Sequence, residues 1–321
     1  MNARNARQEA QEIVGDRFEA RVLEPSPPTV VDGEWFADDP VTVDGAPSRP
    51  VVSPVAGADL TWEAWLATRP EHAEWAGVRW LGAYRRLTAP SASFAETKLA
   101  VHRLAVYVVS PARRRTNGKL ALRWTLDGVG TPFFGADEQV RVAGTQLVRQ
   151  TGASARAEPI TSLARAAAMV LDTPPDISWA EGFDVPAPGD LDAPLPIDDE
   201  DARLLGDWFG FAYSALEALR ADRASTDPSR VQLWAEHFDA AFDCLSGDRR
   251  TTFGASPGDT AISEPYLYAL PQQFEALPPS ELWNADSFRG AVLPLHEFVD
   301  APDQRAAALA FFRSRRDAMQ G

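Results

Sequence analysis

The sequence predicts an α+β fold: antiparallel β-meanders packed against long helices, arranged helix–meander–helix in each half of the chain. Three observations predict it. Short strand candidates come in groups between helices rather than alternating with them one by one, which argues against a doubly wound sheet. Turn signals such as Asn117-Gly118 and "DGVGT" separate the strand candidates at hairpin spacing. The helical stretches carry apolar and aromatic residues at three-to-four spacing, the stripe that a helix needs to cover a sheet.

Residues 1–60 are expected to form an irregular arm, because Pro25, Pro27, Pro28, Pro40, Pro47, Pro50 and Pro54 interrupt its periodicity. The first half spans 61–172. "TWEAWLATR" and "PEHAEWAGVRWLGAYRRL" place Trp62, Trp65, Trp75, Trp80 and Tyr84 at helical spacing. "SASFAETKLAVHRLAVYVVSPARRR" is the clearest helix, with Ser93 and Glu96 in the capping-box pattern and Pro111 marking its end. "KLALRWTL" then alternates Leu120, Leu122, Trp124 and Leu126 along one strand face. "EQVRVAGTQLVRQ" reads as a hairpin around Ala143-Gly144, and "ITSLARAAAMVL" returns to helix.

Residues 173–197 read as an acidic, Pro-rich linker. The wider stretch 172–202 holds ten acidic residues, no basic ones and six prolines, a composition equally suited to a long loop hugging the surface. The second half, 198–321, opens with Asp198 capping the helix "DEDARLLGDWFGFAYSALEALRADRA". It continues through the strand candidates "VQLW", "HFDAAFDCL", "RRTTF", "PYLYAL" and "GAVLPL". A final helix has Pro302 in its first turn and basic residues near its end. The two halves also suit a single compact unit.

Composition narrows the function classes. The 321 residues, 45% of them hydrophobic, supply a large core or two cores. A net charge of −15 repels phosphates and anionic membranes on average, so neither nucleic acid nor membrane is an expected partner. No run approaches the ~18 apolar residues of a membrane span. "MNARNARQEAQEIVGDRF" also lacks the apolar core of a signal peptide, so a soluble, cytoplasmic protein is expected. Cys244 is the only cysteine, which rules out an internal disulfide and argues against a thiolate metal site. Only two of the 31 basic residues are lysines (Lys98 and Lys119), and Ala, Arg and Pro abound, the bias of a GC-rich bacterial genome.

"TTFGASPGD" contains a literal G-x-S-x-G over Gly254–Gly258. A nucleophile elbow needs a backbone N–H on the residue after the serine. Pro257 has none, so Ser256 is better read as part of a Ser-Pro-Gly-Asp turn. "WAEHFDAAFDC" is richer. Read as a strand, it turns Phe238, Ala240, Phe242 and Cys244 one way and His237, Asp239 and Asp243 the other. Imidazole beside carboxylate can share a proton or a cation, which makes His237, Asp239 and Asp259 the candidate catalytic residues, with Asp243 and Glu264 nearby. The competing reading is a solvated face in which Asp239 merely orients His237. The helical H-E-x-x-H and the D-x-[DN]-x-[DN]-G loop are absent, so no metal and no cofactor is assigned.

Residues 85–123 hold nine basic side chains against one acid, Glu96. Within them Arg113, Arg114 and Arg115 have three readings: complementing a helix C-terminus, holding an anionic ligand, or docking against the acidic 172–202 segment. Trp208, Phe209, Tyr266 and Tyr268 are candidates to line a pocket for a small molecule between the meander and the long helices. "DGVGTPFFG" opens no helix and has no Walker lysine, so its glycines serve turns. The expectation is a small-molecule-binding or interaction protein. The alternative is an enzyme using the His–carboxylate group, with or without a metal. The sequence sets no oligomeric state.

"GKLALRWTLDGVGTPFFGADEQVRV", "DWFGFAYSALEALR", "SRVQLWAEHFDAAFD" and "FGASPGDTAISEPYLYALP" together resemble a group of conserved hypothetical proteins of GC-rich, actinobacterial-type bacteria over nearly the full chain. A more distant similarity links the chain to another bacterial domain of unknown function. The resemblance implies no activity and assigns no catalytic residue. It also implies Pro at position 235 and a His shortly before "EPYLY", where this chain has Ala235 and Ile262-Ser263.

Overall fold

The computed structural model describes residues 86–319 except 126, 127, 133, 135–137, 151–154, 176, 278 and 279. The Pro-rich arm and the Trp-striped helices expected over 61–84 lie outside the described residues. The fold is α+β, with two five-stranded antiparallel sheets and long helices. Described residues divide into two compact units, one of 91–206 with 234–238, the other of 86–90, 207–233 and 239–319.

In the first unit, α1 (Phe94–Leu104) runs through a π-helical turn, Ala105–Val109, into α2 (Ser110–Asn117). Pro111 therefore does not end the helix. A proline lacks the N–H for the usual bond and crowds the carbonyl four residues back. The wider turn immediately before Pro111 is the kind of adjustment that accommodates both effects. The end comes at Gly118, whose φ of 75° closes a left-handed cap with its N–H on the Arg114 carbonyl at 2.8 Å. The Ser93 capping box does not form: the Ser93 hydroxyl, with that of Ser91, donates instead to the buried Asp201 carboxylate at 2.7 Å.

A meander follows in the order β1 (Arg123–Thr125), β2 (Gly128–Gly130), β3 (Gln139–Ala143), β4 (Gln146–Gln150) and β5 (Ala155–Pro159). Trp124, Val129, Val142 and Leu147 stand opposite one another in register and form one buried row. The hairpin ladder of β3 and β4 closes with Ala143 opposite Gln146. Helix α3 (Leu163–Leu171) is capped by the Ser162 hydroxyl, which accepts from Arg165 N at 3.2 Å.

The acidic segment 173–197 lies along this unit. Pro186 O accepts from the Tyr107 hydroxyl at 2.8 Å, and Ala187 O accepts from Arg103 Nε at 2.9 Å. Leu191 O and Leu195 N bond the main chain of Ala164 and Thr161 at 2.8 and 2.9 Å. Proline-rich backbone has carbonyls to spare, and side chains of α1 and the π turn use them.

Helix α4 (Asp199–Ala221) begins where the Asp198 carboxylate accepts from Glu200 N and Asp201 N at 2.9 and 3.1 Å. In the second unit, β6 (Gln232–Trp234), β7 (Asp239–Ser246), β8 (Arg249–Ser256), β9 (Tyr266–Pro271) and β10 (Ala291–Pro294) form a sheet of order 10-9-8-7-6. Helix α5 (Gln304–Asp317) starts one residue after Asp303, which caps it, so Pro302 precedes the helix. Phe242 and Phe253 lie 5.9 Å apart on one sheet face, and Phe312 of α5 meets Phe253 edge-on at 5.9 Å. Asp222 holds Arg313 Nε at 2.8 Å and Arg316 at 2.7 Å. Asn284 pairs its amide with both the N–H and the carbonyl of Val292, occupying bonds that the β10 edge would otherwise offer.

The stretch read as a strand from His237 starts later, at Asp239. Residues 235–238 form a single turn closed by Phe238 N on the Trp234 carbonyl at 2.7 Å. Phe238 takes the left-handed conformation (φ 52°), a cost for a bulky residue. Its ring stacks on His102 of α1 at 4.7 Å and 9°, and His102 Nε2 bonds the Ala235 carbonyl at 2.8 Å. Burial pushes the His102 imidazole down to about 4, with the carbonyl opposing the shift.

This histidine predicts a pH dependence. The folded ring stays neutral down to about 4, whereas an unfolded one protonates near 6.5. Below 6.5 the unfolded chain takes a proton that the folded chain refuses, so stability falls between 6.5 and 4 by at most about 3 kcal/mol. Urea midpoints at pH 7.5, 5.5 and 4.5 should show a steeper decline for the native chain than for His102→Gln. Parallel curves would assign the decline to other groups.

Candidate functional site

The register of the second sheet separates its two faces. Phe242, Phe253 and Ala269 align on the apolar face, joined by Cys244, whose thiol burial pushes up to about 11. The other face is polar yet buried. Ser256 stands opposite Tyr266, and one step beyond the Ala240–Ala255 pair the same register brings Asp239 beside Ser256. The next row is Ala241, Gly254, Tyr268 and Val292, and the one after holds Asp243, Thr252 and Leu270. Asp239, Ser256, Tyr266 and Tyr268 are 6%, 4%, 6% and 7% exposed, so each depends on a protein partner for its polar atoms.

Tyr268 lies across Gly254, where a Cβ would collide with the phenol ring. The missing side chain lets the ring pass over β8, and its hydroxyl donates to Asp239 Oδ2 on β7. Asp239 Oδ1, equally buried, has no hydrogen-bond partner among the described residues. One row away, Tyr266 donates to Asp259 Oδ2 at 2.6 Å. Asp259 Oδ1 accepts from Ala261 N and Ile262 N at 2.7 and 2.8 Å. Burial raises the Tyr266 hydroxyl well above its usual range, Asp259 adds to the shift, and a bond from Ser256 opposes it. Tyr266 and Asp259 thus form a hydroxyl–carboxylate pair, with Ser256 opposite Tyr266 in the ladder. The two phenol rings are 6.2 Å apart, and Phe288 meets Tyr268 edge-on at 6.4 Å.

Four residues of "GASPGD" then have a physical role. Gly254 seats the Tyr268 ring. Ser256 Oγ accepts from Gly258 N at 3.1 Å, which commits it to the turn. Gly258 adopts φ 103°, where a Cβ would also meet the Ser263 carbonyl at 2.6 Å. The loop returns Asp259 to the sheet face.

The sequence candidates fall in different places. Asp239 and Asp259 share the Tyr–Asp face of the second unit, whereas His237 is exposed on the 235–238 turn, which belongs to the first. It does not join a strand face with Asp239 and Asp243, because the chain turns before β7 begins. Asp243 accepts from Thr252 Oγ1, and Glu264 pairs with the exposed His296, Oε1 to Nδ1 at 2.6 Å. Trp208 and Phe209 are wholly enclosed in the core, while Tyr266 and Tyr268 line the polar face.

The arginine triplet is committed to local structure. Arg113 is buried and donates to the Ala121 carbonyl, and Arg115 donates to Leu171 O at 3.1 Å and Thr173 Oγ1 at 2.9 Å. Arg114 stacks over Trp179 at 5.7 Å. Arg114 and Arg115 thus meet the stretch 171–179 through contacts that include a carbonyl, a hydroxyl and an indole. Among the described residues, no group of three or more His, Cys, Asp or Glu side chains is placed to hold a metal ion. Sequence reasoning missed Phe288, which has no local signal, and the supporting part of Ser256. The Tyr266/Tyr268 alternation opposite a strand glycine was the available clue.

The Gly254 seat gives a direct test. Gly254→Ala should destabilise the fold by about 1–3 kcal/mol in urea titration, because the added methyl overpacks against the ring. In Tyr268→Ala the same methyl has room. Gly254→Ala on that background should therefore cost nothing further, and an additive loss would mean that the ring is not what the glycine accommodates. Comparison with known proteins returned no matching family model, no matching curated protein and no matching solved structure, so the significance of the Tyr–Asp face rests on its own geometry.

Proposed function

We propose that this chain is a cytoplasmic small-molecule-binding protein, a member of the bacterial group its motifs resemble, and that the Tyr–Asp face of the second sheet is its binding site. One observation carries this reading: Asp239 Oδ1 is a buried acceptor without a donor. Tyr268 holds the carboxyl in place through the other oxygen. A buried acceptor left unmade costs about 1–3 kcal/mol, more if charged, and a ligand donor arriving there recovers that cost. Fixed orientation, neighbouring aromatic rings and a few convergent polar groups are what a small-molecule site provides.

The enzyme alternative gains no support from the same geometry. It needs His237 within reach of the Asp239 or Asp259 carboxyl as an acid–base pair. His237 is instead exposed on its turn, and both Asp carboxyls accept from tyrosine hydroxyls. Nor does the anionic-ligand reading of Arg113–Arg115, since Arg113 and Arg115 are occupied by main-chain carbonyls.

The test is thermal unfolding of the full chain against a library of sugars, amino acids, amines, carboxylates and nucleosides. A ligand at a hundred times its Kd should stabilise the protein by about 2.7 kcal/mol, a rise of a few degrees in Tm. Asp239→Asn should abolish that rise. No rise with any compound, or an equal rise in the variant, would overturn the proposal.

A further inference from the structure

Resting on that reading, we infer that the ligand is an organic cation, a protonated amine or guanidinium, received between the Asp239 and Asp259 carboxyls against the Tyr266, Tyr268 and Phe288 rings. The argument is an accounting of donors. The Tyr268 proton is committed to Asp239 Oδ2 and the Tyr266 proton to Asp259 Oδ2. What this row offers an incoming molecule is therefore acceptor capacity, with Asp239 Oδ1 unfilled. A sugar hydroxyl or a carboxylic acid brings acceptors, and both tyrosine protons are already taken. An ammonium or guanidinium brings donors alone.

Charge and surroundings agree. Among the described residues, neither Asp239 nor Asp259 forms a hydrogen bond or ion pair with a lysine or arginine. The buried Asp239 carboxyl, without a protein cation, favours one supplied from outside, and the exposed Asp259 carboxyl leaves that cation a way in. Aromatic faces beside them add attraction for organic cations. A bare metal ion suits the site less, because no third His, Cys, Asp or Glu is placed with the pair.

Isothermal titration calorimetry on the full chain tests this with n-butylammonium and agmatine, against n-butanol, glucose, magnesium chloride and calcium chloride. Binding of one or both organic cations, with no heat from n-butanol, is expected. Asp239→Asn and Asp259→Asn should each weaken binding at least tenfold while keeping the native circular-dichroism spectrum. Tyr268→Phe, which keeps the ring over Gly254, is the second variant and should also weaken it. Asp239-dependent binding of glucose or n-butanol in place of the cations would overturn the cation class and leave the binding proposal standing. Magnesium or calcium binding that displaces the amines would replace the organic cation by a metal. Heat from none of the probes would overturn the inference, and together with an empty library screen it would overturn both.

Discussion

The reach of Tyr268 across β8 to Asp239 on β7 is the contact on which the polar face depends. It joins three adjacent strands through one side chain, and it exists because position 254 has no Cβ. The ring covers the bare backbone of Gly254 and the hydroxyl fixes one carboxyl oxygen, while the other has no hydrogen-bond partner among the described residues. A buried carboxyl normally has its acceptor capacity filled by the fold. Here the fold fills half of it.

The two faces of the second sheet show why a buried surface need not be an apolar one. Phe242, Phe253 and Phe312 fill their side with rings at ordinary packing distances. The opposite side buries phenols, hydroxyls and carboxyls, which remain tolerable because each is oriented by a neighbour. The cost of misplacing one member is larger there, since hydrogen bonds in a low-dielectric setting cannot be exchanged for water.

Much of this was legible in the sequence, and the failures have physical causes. Turn signals between short strand candidates located β7 through β10, and period-two alternation put Asp239 and Asp243 opposite Phe242 and Cys244, because side-chain direction in a strand is set by spacing alone. The same rule failed at His237 and Phe238, where a non-glycine residue takes a left-handed conformation that no propensity favours. Pro111 was read as a stop because its local penalty is known, but the compensating π turn lies among buried residues with no marker of their own. Ser93 and Glu96 matched a capping box, yet Asp201, over a hundred residues away in sequence, claims the hydroxyl. Pro257 was sufficient to demote Ser256. The partnership of Tyr268 with Gly254 needed the strand register, which no pattern in the sequence specifies.

Residues 234–238 belong to the first unit, although β6 and β7 on either side belong to the sheet of the second. The chain is therefore interleaved, and no single cut separates one complete unit from the other. During synthesis the first unit lacks its last piece until residue 238 has emerged, by which time α4 and β6 are already outside the ribosome. The shortest segment that holds every described residue of the first unit, 91–238, already carries residues 207–233 of the second.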